Sequence, residues 1–126
     1  MNNTPTHLKE KWSTEKQVCC RVDEGNCDGR LTKDHAIIFA GKQVQEDWAI
    51  VDACEFHHAV GKYQSGGDLN REKHIWIALN RATDEQLLRI SKAINYLQLR
   101  ERLNEKYKMI LIDFLFFLTI VVCHID

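Results

Sequence analysis

Asp34 and His35 stand side by side, and after twenty-two further residues His58 closes the run Cys54-Glu55-Phe56-His57-His58. A hydrolytic metal site needs ligands that converge from separated segments, and beside them a base that the metal does not consume. Asp34 offers a carboxylate and His58 an imidazole. Along an extended strand successive side chains alternate faces, so His35 leaves the backbone opposite Asp34 and stays free as a base. The plain alternative is two unrelated polar clusters on the surface.

The cysteines weigh against that alternative. Cys54-x-x-His57 has the short spacing that lets one turn present two donors to the same ion. Upstream, Cys19-Cys20 and Cys27 bracket the polar turn Asp23-Glu24-Gly25-Asn26, whose Gly and Asn tolerate positive φ and bring Cys27 back toward Cys20. Adjacent cysteines rarely both serve one tetrahedral zinc. We therefore assign Cys20, Cys27, Cys54 and His57 as a closed structural Cys3His site, with Cys19 as the alternative to Cys20 and a buried free thiol as the competing explanation of the upstream pair. Neighbouring His57 and His58 would then serve different metals.

Together, Asp34-His35 and Cys54-x-x-His57-His58 at this interval resemble the HNH, or ββα-metal, endonucleases common in phages and other mobile elements. The resemblance covers roughly residues 20–62. It implies a ββα-metal core with a structural Zn2+, in which His57 stands where the family has its last cysteine. It also implies that His35 is the general base for hydrolysis of DNA phosphodiester bonds. Asp34 and His58 would hold the catalytic divalent ion, Mg2+ or Mn2+, with Zn2+ as an alternative. The family's middle Asn falls at about Ala49, which cannot orient the base, so Gln45 or Asp47 is expected to substitute from the same loop.

Composition bounds these expectations. The chain has 126 residues, 44% hydrophobic and 28% charged, which suits one small domain whose core a metal staple would help. Its net charge of -1, with eight Lys or Arg against ten Asp or Glu in residues 21–82, argues against strong backbone-driven DNA affinity. Five cysteines, an odd number, and no signal-peptide pattern point to a reducing compartment, the cytoplasm, or the host cytoplasm if the chain is phage-encoded.

The elements that must position these residues read as α+β. We divide the chain into an N-terminal lead-in (1–18), an HNH-like ββα-metal domain (19–82), a long helix (83–108) and an apolar tail (109–126). Residues 1–10 read as a frayed terminus and 11–18 as a brief helix or strand anchored by Trp12 and Val18. A strand should end near His35, a loop should run through 40–42, and a second strand should fall at about 49–51. Residues 54–63 read as a turn entering a helix, and 68–80 as a further helix with Leu69, Ile75, Trp76 and Leu79 apolar.

Lys62 and His74 are candidates for a phosphate contact, and His74 could instead complete the metal site, although a solvated or core-edge histidine is the favoured reading of His74. Thr83-Asp84-Glu85-Gln86 is a capping box that should start the long helix, with Leu87, Ile90, Ile94 and Leu97 as a core stripe or, less favoured, a dimer seam. Residues 109–122 carry one charge, Asp113, but at fourteen residues fall short of the roughly twenty needed to span a bilayer. They suit packing on the domain or on a second copy. Two functions follow: a metal-dependent DNA endonuclease, which needs Asp34, His35 and His58 around one ion, or a non-catalytic zinc-stapled module that binds nucleic acid or protein.

Overall fold

The computed structural model describes residues 4–66 and 71–108. Pro5 sets up a first helix, α1 (Thr6–Thr14), which begins inside the stretch expected to fray and runs into the one expected as a brief helix or strand. It is held by burial of Leu8, and Trp12 Nε1 and Lys11 Nζ both donate to the Asp47 carboxylate, at 2.9 and 2.8 Å. Val18, expected as an anchor, is exposed.

Next comes β1 (Leu31–His35), which ends at His35 as its pattern indicates. A short hairpin follows, β2 (Ile38–Phe39) and β3 (Lys42–Gln43), reversing at Ala40 and Gly41 with φ of 53° and 76°. Two consecutive positive φ values give a tight turn that matches strand twist. Then β4 (Ile50–Cys54) pairs antiparallel with β1, from Leu31↔Cys54 to His35↔Ile50. Ile50, Val51, Ala53 and Cys54 are all buried, which suits β-branched and small residues in a covered strand. This strand runs three residues beyond the expected 49–51.

With β4 so extended, no turn precedes the next helix. Cys54 is both the last residue of β4 and the N-cap of α2 (Glu55–His58), its sulfur accepting the His57 backbone N–H. The helix ends after one turn, at Ala59 in the left-handed region. A 3-10 segment (Gly61–Gly66) leads on, and α3 (Arg71–Arg81) follows. Leu69 lies outside the described residues; Leu79 is fully buried, and Ile75 and Trp76 pack partly buried on the core.

The Thr83 capping box forms, with Gln86 N–H donating to Thr83 Oγ1 and Thr83 N–H to Gln86 Oε1. It starts α4 (Asp84–Ile90), not one long helix. Ser91 ends that helix by donating to Leu87 O and starts α5 (96–108) by accepting the Tyr96 N–H. The break turns Tyr96 inward, where its hydroxyl donates to Ile38 O, and leaves Ile94 exposed rather than in a stripe. One apolar cluster joins Ile37, Trp48 and Val51 to Leu79, Leu87 and Leu103, so a single core crosses the boundary drawn at 82 and 83.

The protein is thus a small α+β structure with a two-stranded sheet and flanking helices. No helix among the described residues is long and apolar enough to cross a membrane. The apolar tail, with any packing on a second copy, lies outside the described residues.

Candidate metal centres

Cys54 and His57 occupy the N-cap and the third residue of the same short helix, so one turn aims both donors to one side. Cys27 reaches them because the chain reverses at Gly25 and Asn26, with φ of 77° and 63°, and then lies against the start of α2. There Asp28 O accepts the Phe56 N–H and Arg30 O accepts the Glu55 N–H. Gly29 is required at this contact. Its φ is +84°, and a Cβ there would sit 2.5 Å from Glu55 Oε2.

Cys19 completes the group. One donor atom from each of Cys19, Cys27, Cys54 and His57 lies within 4.8 Å of all the others. His57 Nδ1 is 3.5, 3.6 and 3.2 Å from the sulfurs of Cys19, Cys27 and Cys54. A tetrahedral zinc with bonds of about 2.3 Å to sulfur and 2.0 Å to nitrogen separates those atoms by about 3.5 Å, so the cluster fits such an ion.

The electrostatics point the same way. Desolvation together with the Cys19 and Cys54 sulfurs pushes the Cys27 thiol up to about 12. Cys54 is lowered: burial acts upward on it, but backbone N–H groups, His57's first, outweigh burial. Burial, then the Arg21 charge, lowers His57 and favours the neutral imidazole that a metal requires. Arg21 N–H also donates to Cys19 Sγ at 3.4 Å.

The cysteine placed to serve as a ligand is therefore Cys19 and not Cys20. Cys20 N–H donates to Asp52 O at 2.7 Å, which fixes that residue against β4, and its side chain packs on the apolar core. Burial, and next the neighbouring Cys19, push the Cys20 thiol up to about 12.

His58, one residue on from His57, faces a different group. Its Nε2 lies 3.4 Å from Asp34 Oδ1, and its Nδ1 lies 2.6 Å from Thr32 Oγ1. The other oxygen of Asp34 is 2.6 Å from His74 Nδ1. Burial works to raise the Asp34 carboxyl, but its contacts with His58 and His74 prevail and hold it well below the usual carboxylate range. Two donors sharing a divalent ion at about 2.1 Å lie roughly 3.0–3.4 Å apart, so Asp34 Oδ1 and His58 Nε2 could hold one between them.

His35 leaves β1 on the other face, where its Nε2 lies 3.1 Å from Gln45 Oε1. The structure does not bring it into the hydrogen-bonded group of Asp34, His58 and His74.

Compared with protein families, with characterised proteins and with solved structures, the chain matches none. What it does must be read from its own geometry.

Of the two residues expected to orient His35, Gln45 is in contact and Asp47 is not. Asp47 is committed to Lys11, Trp12 and Arg81, a tie between α1, α3 and the turn that precedes β4. Ala49 is fully buried in the apolar cluster, with its carbonyl accepting the Ala36 N–H, so the position that would carry an Asn in the HNH pattern is a core position here.

Lys62 is 72% exposed, 3.5 Å from Asp28, and free to reach an outside anion. His74 is not: at 1% exposure it cannot touch phosphate, and its role is the contact with Asp34. Among the described residues nothing hydrogen-bonds its buried Nε2. Thr32 was missed altogether, although its place two residues before Asp34 on a strand puts both on one face.

Proposed function

We propose that the chain is a metal-dependent endonuclease of the HNH type acting on DNA phosphodiester bonds. The observation that supports it most is the division of labour on α2, where consecutive histidines face two groups: His57 the sulfur cluster, His58 the carboxylate of the strand that also carries His35. On this reading β1, β4 and α2 form a ββα-metal core stapled by Zn2+ at Cys19, Cys27, Cys54 and His57.

Asp34 and His58 would hold the catalytic ion, Mg2+, Mn2+ or Zn2+. When bound, it would neutralise charge on the scissile phosphate and stabilise the leaving oxygen. His35 supplies the base. The Gln45 amide oxygen can only accept, so it takes the proton of His35 Nε2 and leaves Nδ1 with the lone pair that draws a proton from water. His74 holds the far oxygen of Asp34, and Lys62 stands ready for a backbone phosphate.

Plasmid cleavage with added Mg2+ or Mn2+ tests the reading. Loss of a positioned base costs typically about 10²- to 10⁴-fold, so His35→Ala should cleave that much more slowly while binding the same metal. Full activity in the His35→Ala protein would overturn it. One observation favours a second reading, a non-catalytic zinc-stapled module that binds nucleic acid or protein. Among the described residues, the Cys3His group alone brings three or more metal donors together. Binding of DNA without cleavage under any divalent ion would decide for that reading.

A further inference from the structure

Thr32 belongs to no expectation drawn from the motif, yet its hydroxyl touches a residue on which the proposed site depends. Its Oγ1 lies 2.7 Å from the carbonyl oxygen of Ala53, across the β1 and β4 pair, and 2.6 Å from His58 Nδ1. A hydroxyl has one proton, and a carbonyl oxygen has none to offer. The Thr32 proton must therefore point at Ala53. Only lone pairs remain toward His58, so Nδ1 must be the nitrogen that carries hydrogen. A neutral His58 is then left with its lone pair on Nε2, the atom turned toward Asp34 Oδ1.

With His58 neutral and hydrogen on Nδ1, that pairing is unfavourable. A lone pair and a carboxylate oxygen face each other at 3.4 Å, and Asp34 cannot relieve it by rotating, because its second oxygen is held by His74 at 2.6 Å. A divalent ion bound by both atoms relieves it, as does a second proton on His58 or a water donating to both. A charge-assisted N–H···O bond closes to about 2.7–2.9 Å. The observed separation is longer than that and matches two donors of one ion.

We propose that Thr32 is a positioning residue that fixes His58 in the tautomer presenting Nε2, and so makes Asp34 and His58 a prepared pair of ligands for a divalent cation. The proposal rests on the metal-pair reading given above. It adds an outer contact of the kind that fixes ring orientation and basicity in metal-binding histidines, whose loss typically costs about 10- to 100-fold in affinity.

The test uses the full chain carrying one equivalent of Zn2+, titrated calorimetrically with a second equivalent, in wild type, Thr32→Val and Thr32→Ser. Valine keeps the shape and removes the hydroxyl, so the second equivalent should bind about 10- to 100-fold more weakly. Serine should restore it to within a few-fold, and the first equivalent should be unchanged in all three. Long-range 1H–15N correlation of the His58 ring in the protein with one Zn2+ gives a readout that a merely structural role would not move: Nδ1–H in wild type and Thr32→Ser, and a mixed or reversed tautomer in Thr32→Val.

Wild-type affinity for the second equivalent in Thr32→Val, or Nε2–H as the wild-type tautomer, would overturn the proposal. A wild-type His58 carrying both protons near neutral pH would overturn it too, in favour of an ion pair with Asp34. If wild type takes up a single equivalent while showing Nδ1–H, the metal-pair reading fails and the tautomer assignment stands. Should Thr32→Val not fold, the wild-type ring spectrum and the Thr32→Ser titration still decide the matter.

Discussion

His57 and His58 are consecutive on one short helix, and their surroundings have little in common. Around His57 the donors close on one another: Cys19, Cys54 and His57 are buried, and three sulfurs stand within 3.2–3.6 Å of one nitrogen. Around His58 the group is open. The side chains of Asp34 and His58 keep about a fifth of their surface, at 18% and 24%, and they make contacts with Thr32 and His74. A closed four-donor set has no place for a substrate, whereas two ligands at a surface leave most of an ion's coordination to water and to what the protein binds. Because Cys54 and His57 share the helical turn that carries His58, the sulfur cluster can hold His58 in place.

The sharpest way to break this contrast is to exchange the two histidines' fates. His57→Ala should lose zinc by elemental analysis and lose its helical circular dichroism signal. Structural zinc binding in small finger domains is worth about 10–16 kcal/mol, as much as a small domain's whole stability. His58→Ala should keep the zinc, the spectrum and a melting temperature close to wild type, and lose the second divalent ion and cleavage. If His57→Ala stays folded and zinc-loaded, the sulfur cluster is not a staple and the two centres are not distinct in kind.

Next in size is the choice between adjacent cysteines. Cys19→Ser should behave as His57→Ala does, releasing zinc. Cys20→Ser should retain zinc and cost about 1 kcal/mol, the order expected for exchanging a partly buried thiol for a hydroxyl on an apolar surface. Zinc loss from Cys20→Ser with retention in Cys19→Ser would reverse the assignment.

That pair also marks where the sequence stops being informative. Cys-x-x-His, Asp-His and the Thr83 capping box are legible because each works within a single turn or strand step, where spacing alone fixes geometry. Choosing between Cys19 and Cys20 depends on a backbone bond from Cys20 to Asp52, thirty-two residues away, which no local pattern encodes. His74 reaches Asp34 only because α3 packs over the sheet, so the sequence could offer it as a companion of the Asp34 group but not fix its full burial. The break at Ser91 was masked by apolar spacing that continues through Ile94 and Leu97 across a turn made by one hydroxyl. Frayed-looking residues 6–10 became helix because Leu8 found a burial site.

The smallest expected effects sharpen the comparison within the open group, where Gln45 and Asp47 were equal candidates to orient His35. Gln45→Ala removes the one acceptor that the described residues place on His35 Nε2. It should lower cleavage on the order of tenfold, as loss of a ring-orienting partner does, with the melting temperature and zinc content unchanged. Asp47→Ala should do the reverse. Burial acts upward on the Asp47 carboxyl, but Lys11, Trp12 and Arg81 prevail and keep it low, so the ionised form carries this tie. Losing the Trp12 bond costs about 1 kcal/mol, while the two exposed ion pairs add little. α1 should loosen, readable as faster amide exchange over Thr6–Thr14, and cleavage should hold. Since the two residues sit on one loop but act on different partners, their effects should add in the double variant. A rate loss in Asp47→Ala equal to that in Gln45→Ala would mean that the loop orients His35 as a unit.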